Sequence, residues 1–556
     1  MGNRTFFTGK MPVPRLKTSI SQLHLEWDFS LIVDGRPSYR HRLRMTSTDR
    51  KILLGFIAVS LVLRLACLNL NSAEYTDGIL QITAFDYGFT FWPPIYTVAA
   101  KTLAFVVGDL EQAGKLVSIL SSTLLLIPLY GLTFRLAGRR AAIYAVLFYM
   151  TNPIATRWSI RVMGDSLFNL LFFWAAALFL QIAEREKTDQ GESGRIRASS
   201  TGLLAACLMA PLATLTRYQG ILLVPLEWLA LKAYWARACA SKNSRRATVL
   251  LTALLPWLLV VVWVGAHSKG HVQQFAERTA GSLTQTLIAY WSLAESFIFL
   301  FPYFVTIPVF VLFACGLGLF FGGDRQKRAF AWAFVWFAVT IVAMQAAFRT
   351  FQDRYLLPLV PFMMVLAGVA AARWEERAVA RRALVRAALL LFLCLCCVWT
   401  SAVLFLQREA FADVKQAARF CATLPRQSRI FSNEWFGGNR PAIKMSFWSE
   451  RRVEGFDGSQ PLAKGDYLCL HSGIYGRWNT YPALGPSPSF QERLAVVGAQ
   501  YEYKQIGEFY TRIVPLLPDI MDGSELHTSP LAWFYRFSPQ RFRTVVLQIE
   551  GPRSAR

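Results

Sequence analysis

Acids and arginines stand where apolar runs begin and end, between Glu74 and Phe168. Glu74 and Asp77 lie in SAEYTDGILQ, just after the first long apolar run, and Asp86 follows them. WSIRVMGDSLF carries Arg161 and Asp165, with Arg157 four residues before Arg161. Carboxylates and guanidiniums at membrane depth are costly and are functional candidates by default. A partly buried carboxylate at the membrane surface can take the proton of an incoming hydroxyl. On a helix Asp77 and Gln81 share one face, with Asp86 about two and a half turns beyond. This reading makes Asp77 the base of a membrane enzyme working at the outer surface. A plainer reading gives these acids to helix N-termini, where Asp complements the dipole or serves as N-cap, Asp165 included.

The arginines carry the complementary chemistry. Arg157 and Arg161, four apart, can grip an anion, since a guanidinium fork suits phosphate oxygens; alternatively they snorkel to lipid headgroups. TRYQG at 216–220 sets Arg217 and Tyr218 at a tight turn between two apolar runs. FQDRYLLPLVP at 351–361 opens another run with Arg354 and Tyr355. Tyrosine at such a boundary is ordinary membrane-interface behaviour, whereas arginine on the outer side is less so. His267 and His271, four apart, could ligate a metal if helical, but no carboxylate stands beside them. A divalent metal is thus possible but not supported, and no cofactor is assigned.

These residues need a membrane scaffold to hold them. Of 556 residues 54% are hydrophobic, and the apolar residues come in runs long enough to cross about 30 Å of hydrocarbon. The runs predict about eleven helical spans, near 52–70, 114–136, 141–156, 165–183, 199–215, 218–235, 248–266, 296–322, 330–347, 354–372 and 387–405. The net charge of +24 is concentrated in alternate loops: AGRR, EREKTDQGESGRIR, ARACASKNSRRA, GDRQKR and RWEERAVARRALVR. That is the positive-inside pattern, not a nucleic-acid surface. It predicts a multi-pass protein of the inner membrane with a cytoplasmic N-terminus and an external C-terminus.

Three regions follow: a stretch at 1–50 without a signal-peptide h-region, read either as a cytoplasmic arm or as sequence ahead of a true start at Met45, a transmembrane domain at 51–405, and an external α/β domain at 406–556. Two long external loops, 71–113 and 267–295, can wall a cavity. The first holds helical patterns at 77–87 and 95–107, split by Pro93-Pro94 and closed by Gly108-Asp109. In the last region SRIFSN, DYLCLHS, FYTRIVPL and TVVLQIE read as strands and VKQAARFCATL as a helix. Cys421 and Cys469 fall there and can pair if that side is oxidising. The CxxC of Cys394 and Cys397 lies inside the last span and reads as packing.

Taken in order, FWPPIYTVAAKTL with Lys101, GDLEQAGKLVSIL, RVMGDSLF, TRYQGILLVP and DRYLLPLVP resemble segments of the bacterial family 39/83-type glycosyltransferases of the GT-C fold. That group includes protein O-mannosyltransferases and the lipid A aminoarabinose transferases. The resemblance covers roughly 50–375. It implies a GT-C fold and a polyprenyl-phosphate sugar donor. The acceptor would be a lipid, protein or glycan, with membrane lipids as surroundings and no nucleic acid partner. It implies a catalytic acid in the first external loop, where Asp77 fits best and Glu74 is a second register. Gly78 stands where the family has Glu, Asp165 replaces a Glu, and Gln219 stands where Glu often follows the TR motif. The resemblance leaves Arg161, Arg217, Tyr218, Arg354, Tyr355 and Lys101 as substrate-binding candidates and Asp165 as a further catalytic one. FWPP lacks the metal-binding Glu of the aminoarabinose enzymes. The alternatives are an oligosaccharyltransferase- or polymerase-like glycan transferase, or a lipid or glycan transporter.

Overall fold

Thr46 starts the first long helix, α1 (Ser47–Ala66), with a capping box in which its hydroxyl accepts the Asp49 N–H and the Asp49 carboxylate accepts the Thr46 N–H. Two short helices follow, α2 (Thr76–Ile82) and α3 (Ile95–Val107). They match the two patterns expected in this loop, although α2 stops five residues early. Gly108 ends α3 at φ 79°, and Asp109 caps α4 (Leu110–Leu124) by accepting the Gln112 N–H at 2.7 Å. Next come α5 (Leu126–Met150), split by a non-helical Gly138, α6 (Pro153–Ser159), α7 (Asp165–Glu184) and α8 (Arg197–Thr214). Beyond a 3₁₀ turn at Tyr218–Leu223 lie α9 (Val224–Ala238), α10 (Asn243–His267), α11 (Ile307–Phe321) and α12 (Arg325–Ala347). A two-residue strand, β1 (Thr350–Phe351), and a 3₁₀ stretch at Asp353–Leu359 lead into α13 (Val360–Arg377) and α14 (Arg382–Leu406).

This computed structural model describes residues 45–86, 88, 92–184, 197–238, 243–267, 284, 305–347, 350, 351, 353–433, 440–456, 458, 460–471, 490–514, 516, 521, 522 and 540–553. Nearly all of the expected arm and of the expected loop 267–295 falls outside them, as does His271. Among the described residues five stretches are long and apolar enough to cross a membrane, and four shorter apolar helices accompany them. The chain is a multi-pass, mainly helical membrane protein. Helix α13 is the centre of the bundle: 94% of its apolar window is buried, against 33% for α14. Gly368 allows this packing, since a Cβ there would meet the Ala141 carbonyl oxygen at 2.6 Å.

Charged residues divide between the two ends of the bundle. At one end Arg139 of the AGRR turn meets Asp49 at 2.5 Å, Tyr144 donates to Glu375 at 2.9 Å, and Arg386 meets Glu375 at 2.7 Å. Two of the basic loops expected on a single side therefore do share one end. At the other end lie α2, the start of α7 and the segment before α13.

The C-terminal part stands at that second end. It contains α15 (Ala412–Ala422), β2 (Ile430–Asn433), α16 (Arg440–Ser449), β3 (Val453–Phe456), β4 (Tyr467–His471), α17 (Phe490–Gln500), β5 (Tyr501–Ile513), β6 (Met521–Asp522) and β7 (Gln540–Pro552). Its sheet has the order β3-β2-β4-β7-β5, with the first three strands parallel and β7 antiparallel to both neighbours. The four strands and the helix read from the sequence are β2, β4, β5, β7 and α15. The small β6 pairs antiparallel with β1, joining this part to the segment just ahead of Arg354.

Cys421 of α15 and Cys469 of β4 are buried with their sulfurs 3.5 Å apart. In an oxidising compartment a disulfide-carrying oxidant can accept the electrons and protons of the two thiols and link them. Protein extracted without reductant and then unfolded in denaturant is expected to resist maleimide at both cysteines until it is reduced. Ready labelling of both without reductant would place this part on a reducing side.

Candidate active site

The site is built on helix ends. Asp77 occupies the first turn of α2, Arg157 lies on α6, and Asp165 is the first residue of α7. Arg217 precedes the 3₁₀ turn after α8, and Asp353 and Arg354 open the segment ahead of α13. Each aspartate meets an arginine distant in sequence. Arg354 Nη2 lies 2.5 Å from Asp77 Oδ2, Arg157 Nη1 lies 3.2 Å from Asp353 Oδ2, and Arg217 pairs with Asp165. Asp165 and Asp353 are almost wholly buried, whereas 14% of the Asp77 side chain is exposed. Asp77 is therefore the carboxylate of the three that water or a substrate can reach.

Aromatic faces hold the guanidiniums in place. The Tyr355 ring lies 4.8 Å from the Arg217 guanidinium carbon and 5.4 Å from that of Arg354. Arg157 donates to the Tyr75 hydroxyl at 2.6 Å, and Trp158 Nε1 donates to Asp353 at 3.2 Å. Arg161 lies over the Tyr75 ring at 4.7 Å and donates to the Ala73 and Gln407 carbonyls. Burial, with Arg354 close by, lowers the Arg217 guanidinium to about 10, still protonated at neutral pH.

Of the residues picked out in the sequence, the structure gathers Asp77, Asp165, Arg161, Arg217, Arg354 and Tyr355 at one end of the bundle. Glu74 is close but has no exposed surface. Its Oε2 accepts the Val162 N–H at 3.0 Å and its Oε1 lies 3.3 Å from Lys115 Nζ. Lys101 is not brought in; it pairs with Asp86 at the surface. Tyr218 turns towards Trp263 of α10, and the His267 ring lies tilted against the same Trp263 at 4.1 Å between centres. Among the described residues no three His, Cys, Asp or Glu side chains come together as metal ligands.

Sequence reasoning passed over Asp353 and the group around Glu111. Asp353 directly precedes Arg354 at a span mouth, the same signal that picked out its neighbour. Glu111 meets Lys115 at 3.2 Å and Lys415 at 2.9 Å, and accepts from Trp448 Nε1 at 3.0 Å. Two of those partners come from the C-terminal part, and no local pattern announces them.

Gly78, where the family motif has a glutamate, is explained by close packing. A Cβ at this position would stand 1.9 Å from the Val162 carbonyl oxygen. The backbone of α2 is thus pressed against the segment that holds Arg161 and Asp165. Gly78→Ala is expected to destabilise by about 1–3 kcal/mol, the usual result of overpacking. The readout is a lower unfolding temperature of the detergent-solubilised protein; an unchanged temperature would show that α2 can retreat.

Comparison with known proteins agrees with this geometry at the level of fold. Residues 92–263 match the sequence family described as dolichyl-phosphate-mannose-protein mannosyltransferase. That span is narrower than the expected resemblance and includes neither Asp77 nor Arg354. No curated protein matches the sequence. The crystal structure of ArnT from Cupriavidus metallidurans bound to undecaprenyl phosphate superposes with a TM-score of 0.55 at 16% identity, over 80% of this chain and 97% of that one. Its apo state gives 0.51 at 14% identity, over 90% and 98%. The Archaeoglobus fulgidus oligosaccharyltransferase, in complex with zinc and sulfate, gives 0.50 at 11% identity, over 81% and 72%. The arrangement of spans is thus that of GT-C membrane glycosyltransferases, and a small sheet accompanies it at the C-terminal end.

Proposed function

We propose that this protein transfers a sugar, hexosyl or pentosyl, from a polyprenyl-phosphate-linked donor to an acceptor hydroxyl on the outer face of the inner membrane. The observation that carries this reading is the Asp77–Arg354 pair, an accessible carboxylate against a buried guanidinium at a helix mouth. A lipid-phosphate sugar is an anion anchored in the leaflet, and Arg354, with Arg217 beside it, suits its phosphate oxygens. A phosphate engaging Arg354 loosens the hold on Asp77, and a carboxylate freed from a cation accepts a proton more readily. The acceptor oxygen then bonds to the anomeric carbon, its proton passes to Asp77, and the carbon–oxygen bond to phosphate breaks with its electron pair leaving on the phosphate. Arg161 and Asp165 act here as the frame of the site, and Glu74 as a peg under the backbone of Val162. The undecaprenyl phosphate in the ArnT structure supports a lipid-phosphate donor. The acceptor is a lipid, a protein or a glycan. The likeness to an oligosaccharyltransferase supports a second reading, in which a preassembled glycan is moved.

The direct test is purified protein given labelled polyprenyl-phosphate monosaccharides and, in parallel, lipid-linked oligosaccharides. Transfer from the first class alone supports the main reading, and transfer from the second alone replaces it. Asp77→Asn is expected to lower turnover by about 10²–10⁴, the worth of a positioned acid–base group, while still inserting in the membrane. Native turnover at saturating donor would remove Asp77 from the chemistry. Arg354→Lys keeps the charge but loses the fork, so donor affinity and rate should both fall. Native values for both would make Arg354 an interface anchor only.

A further inference from the structure

One amine beside α2 comes from no span. Lys444, on α16, reaches in from the C-terminal part and is 2% exposed. Its Nζ donates to Thr76 Oγ1 at 3.3 Å and lies 3.3 Å from the centre of the Phe411 ring. Thr76 is the first residue of α2 and the neighbour of Asp77. Phe411 packs edge-on against Tyr75, the residue before α2, at 5.2 Å between ring centres. Phe411 itself has φ 64°, a left-handed conformation uncommon for a residue with a side chain. Such backbone persists where its surroundings over-determine it.

Helix α2 also lacks a cap of its own, since the Tyr75 side chain makes no capping hydrogen bond. Its first turn is instead gripped from the C-terminal part, with Phe411 against Tyr75 and Lys444 on Thr76. Burial holds the Lys444 amine well below the usual lysine range, with Arg161 adding to that effect and Asp413, Glu74 and Asp77 opposing it. Asp413, in turn, is fixed by the Thr544 hydroxyl at 2.8 Å, and Thr544 by His471 Nδ1 at 2.9 Å. The grip is thereby anchored in the sheet.

We propose that Lys444 is a positioning residue for Asp77, so that the C-terminal part sets the first turn of α2, and with it the carboxylate, through the Lys444–Thr76 contact. The inference rests on the reading of Asp77 as base. A misplacement on the order of 1 Å can lower turnover about 100-fold, and the full chain tests whether it does.

Lys444→Met removes the donor and keeps the apolar stem; Lys444→Gln returns an N–H towards Thr76 without charge. The expected result for Lys444→Met is kcat lower by about 10–100-fold, with donor KM and unfolding temperature close to native. Lys444→Gln is expected to recover most of the rate. Hydrogen exchange of the α2 amides, which needs no substrate, is expected to quicken by about fivefold in Lys444→Met. Native kcat in Lys444→Met, unchanged α2 exchange, or equal impairment in both variants would overturn the proposal. If the unmodified protein moves no sugar from any donor while Lys444→Met still loosens α2, the transferase reading fails and the positioning contact stands.

Discussion

A guanidinium removed from water is tolerated where a carboxylate and further hydrogen bonds meet it, and one end of this bundle is organised by that requirement. Arg354–Asp77, Arg217–Asp165 and Arg157–Asp353 join α2, α6, the start of α7, the turn after α8 and the segment before α13. Helices α2 and α6, with seven residues each, are too short to fix their own orientation. The ion pairs fix it for them. Losing one partner of a buried pair leaves an uncompensated charge and costs about 3–5 kcal/mol, which binds the helix ends into one unit. Asp77 differs from the other two aspartates because its pair opens to the surface, and this separates a reactive position from a purely architectural one.

The same principle extends across the seam to the C-terminal part. Glu111 sits at the start of α4 and receives Lys115 from its own helix and Lys415 and Trp448 from the far side. Lys444 and Phe411 reach across to Thr76 and Tyr75, and β6 pairs with β1 ahead of Arg354. These three contacts tie the C-terminal part to α2, to α4 and to the segment ahead of Arg354.

Much of this was legible from residue type and position. Acids and arginines at the mouths of apolar runs are conspicuous because membrane depth penalises them, and that singled out Asp77, Asp165, Arg161, Arg217 and Arg354. The turn at Gly108-Asp109 and the strands β2, β4, β5 and β7 followed from local chemistry. The pairings did not, because Asp77 and Arg354 are 277 residues apart and no periodicity encodes which ends of a bundle meet. Lys101 sits in one of the segments that resemble the family, yet it points to Asp86 at the surface. A shared motif fixes a helix and its place but not the direction of every side chain on it. Gly78 is the converse case, an apparent defect in a motif that only the nearness of the Val162 carbonyl explains.

The contrast between α13 and α14 bears on how this sequence can drift. The more hydrophobic stretch is the peripheral one, with a mean hydropathy of 2.6 around α14 against 2.0 for the central stretch leading through α13. Lipid asks only that a side chain be greasy, so the outward face of α14 can exchange Leu, Phe, Val and Cys freely. The central helix must match neighbours on every side, where even Gly368 cannot gain a methyl group without meeting Ala141. Substitutions should therefore accumulate fastest where the chain is most apolar. The slow-changing core of the bundle would be found by its intolerance of changes in size, a signature that hydropathy alone conceals.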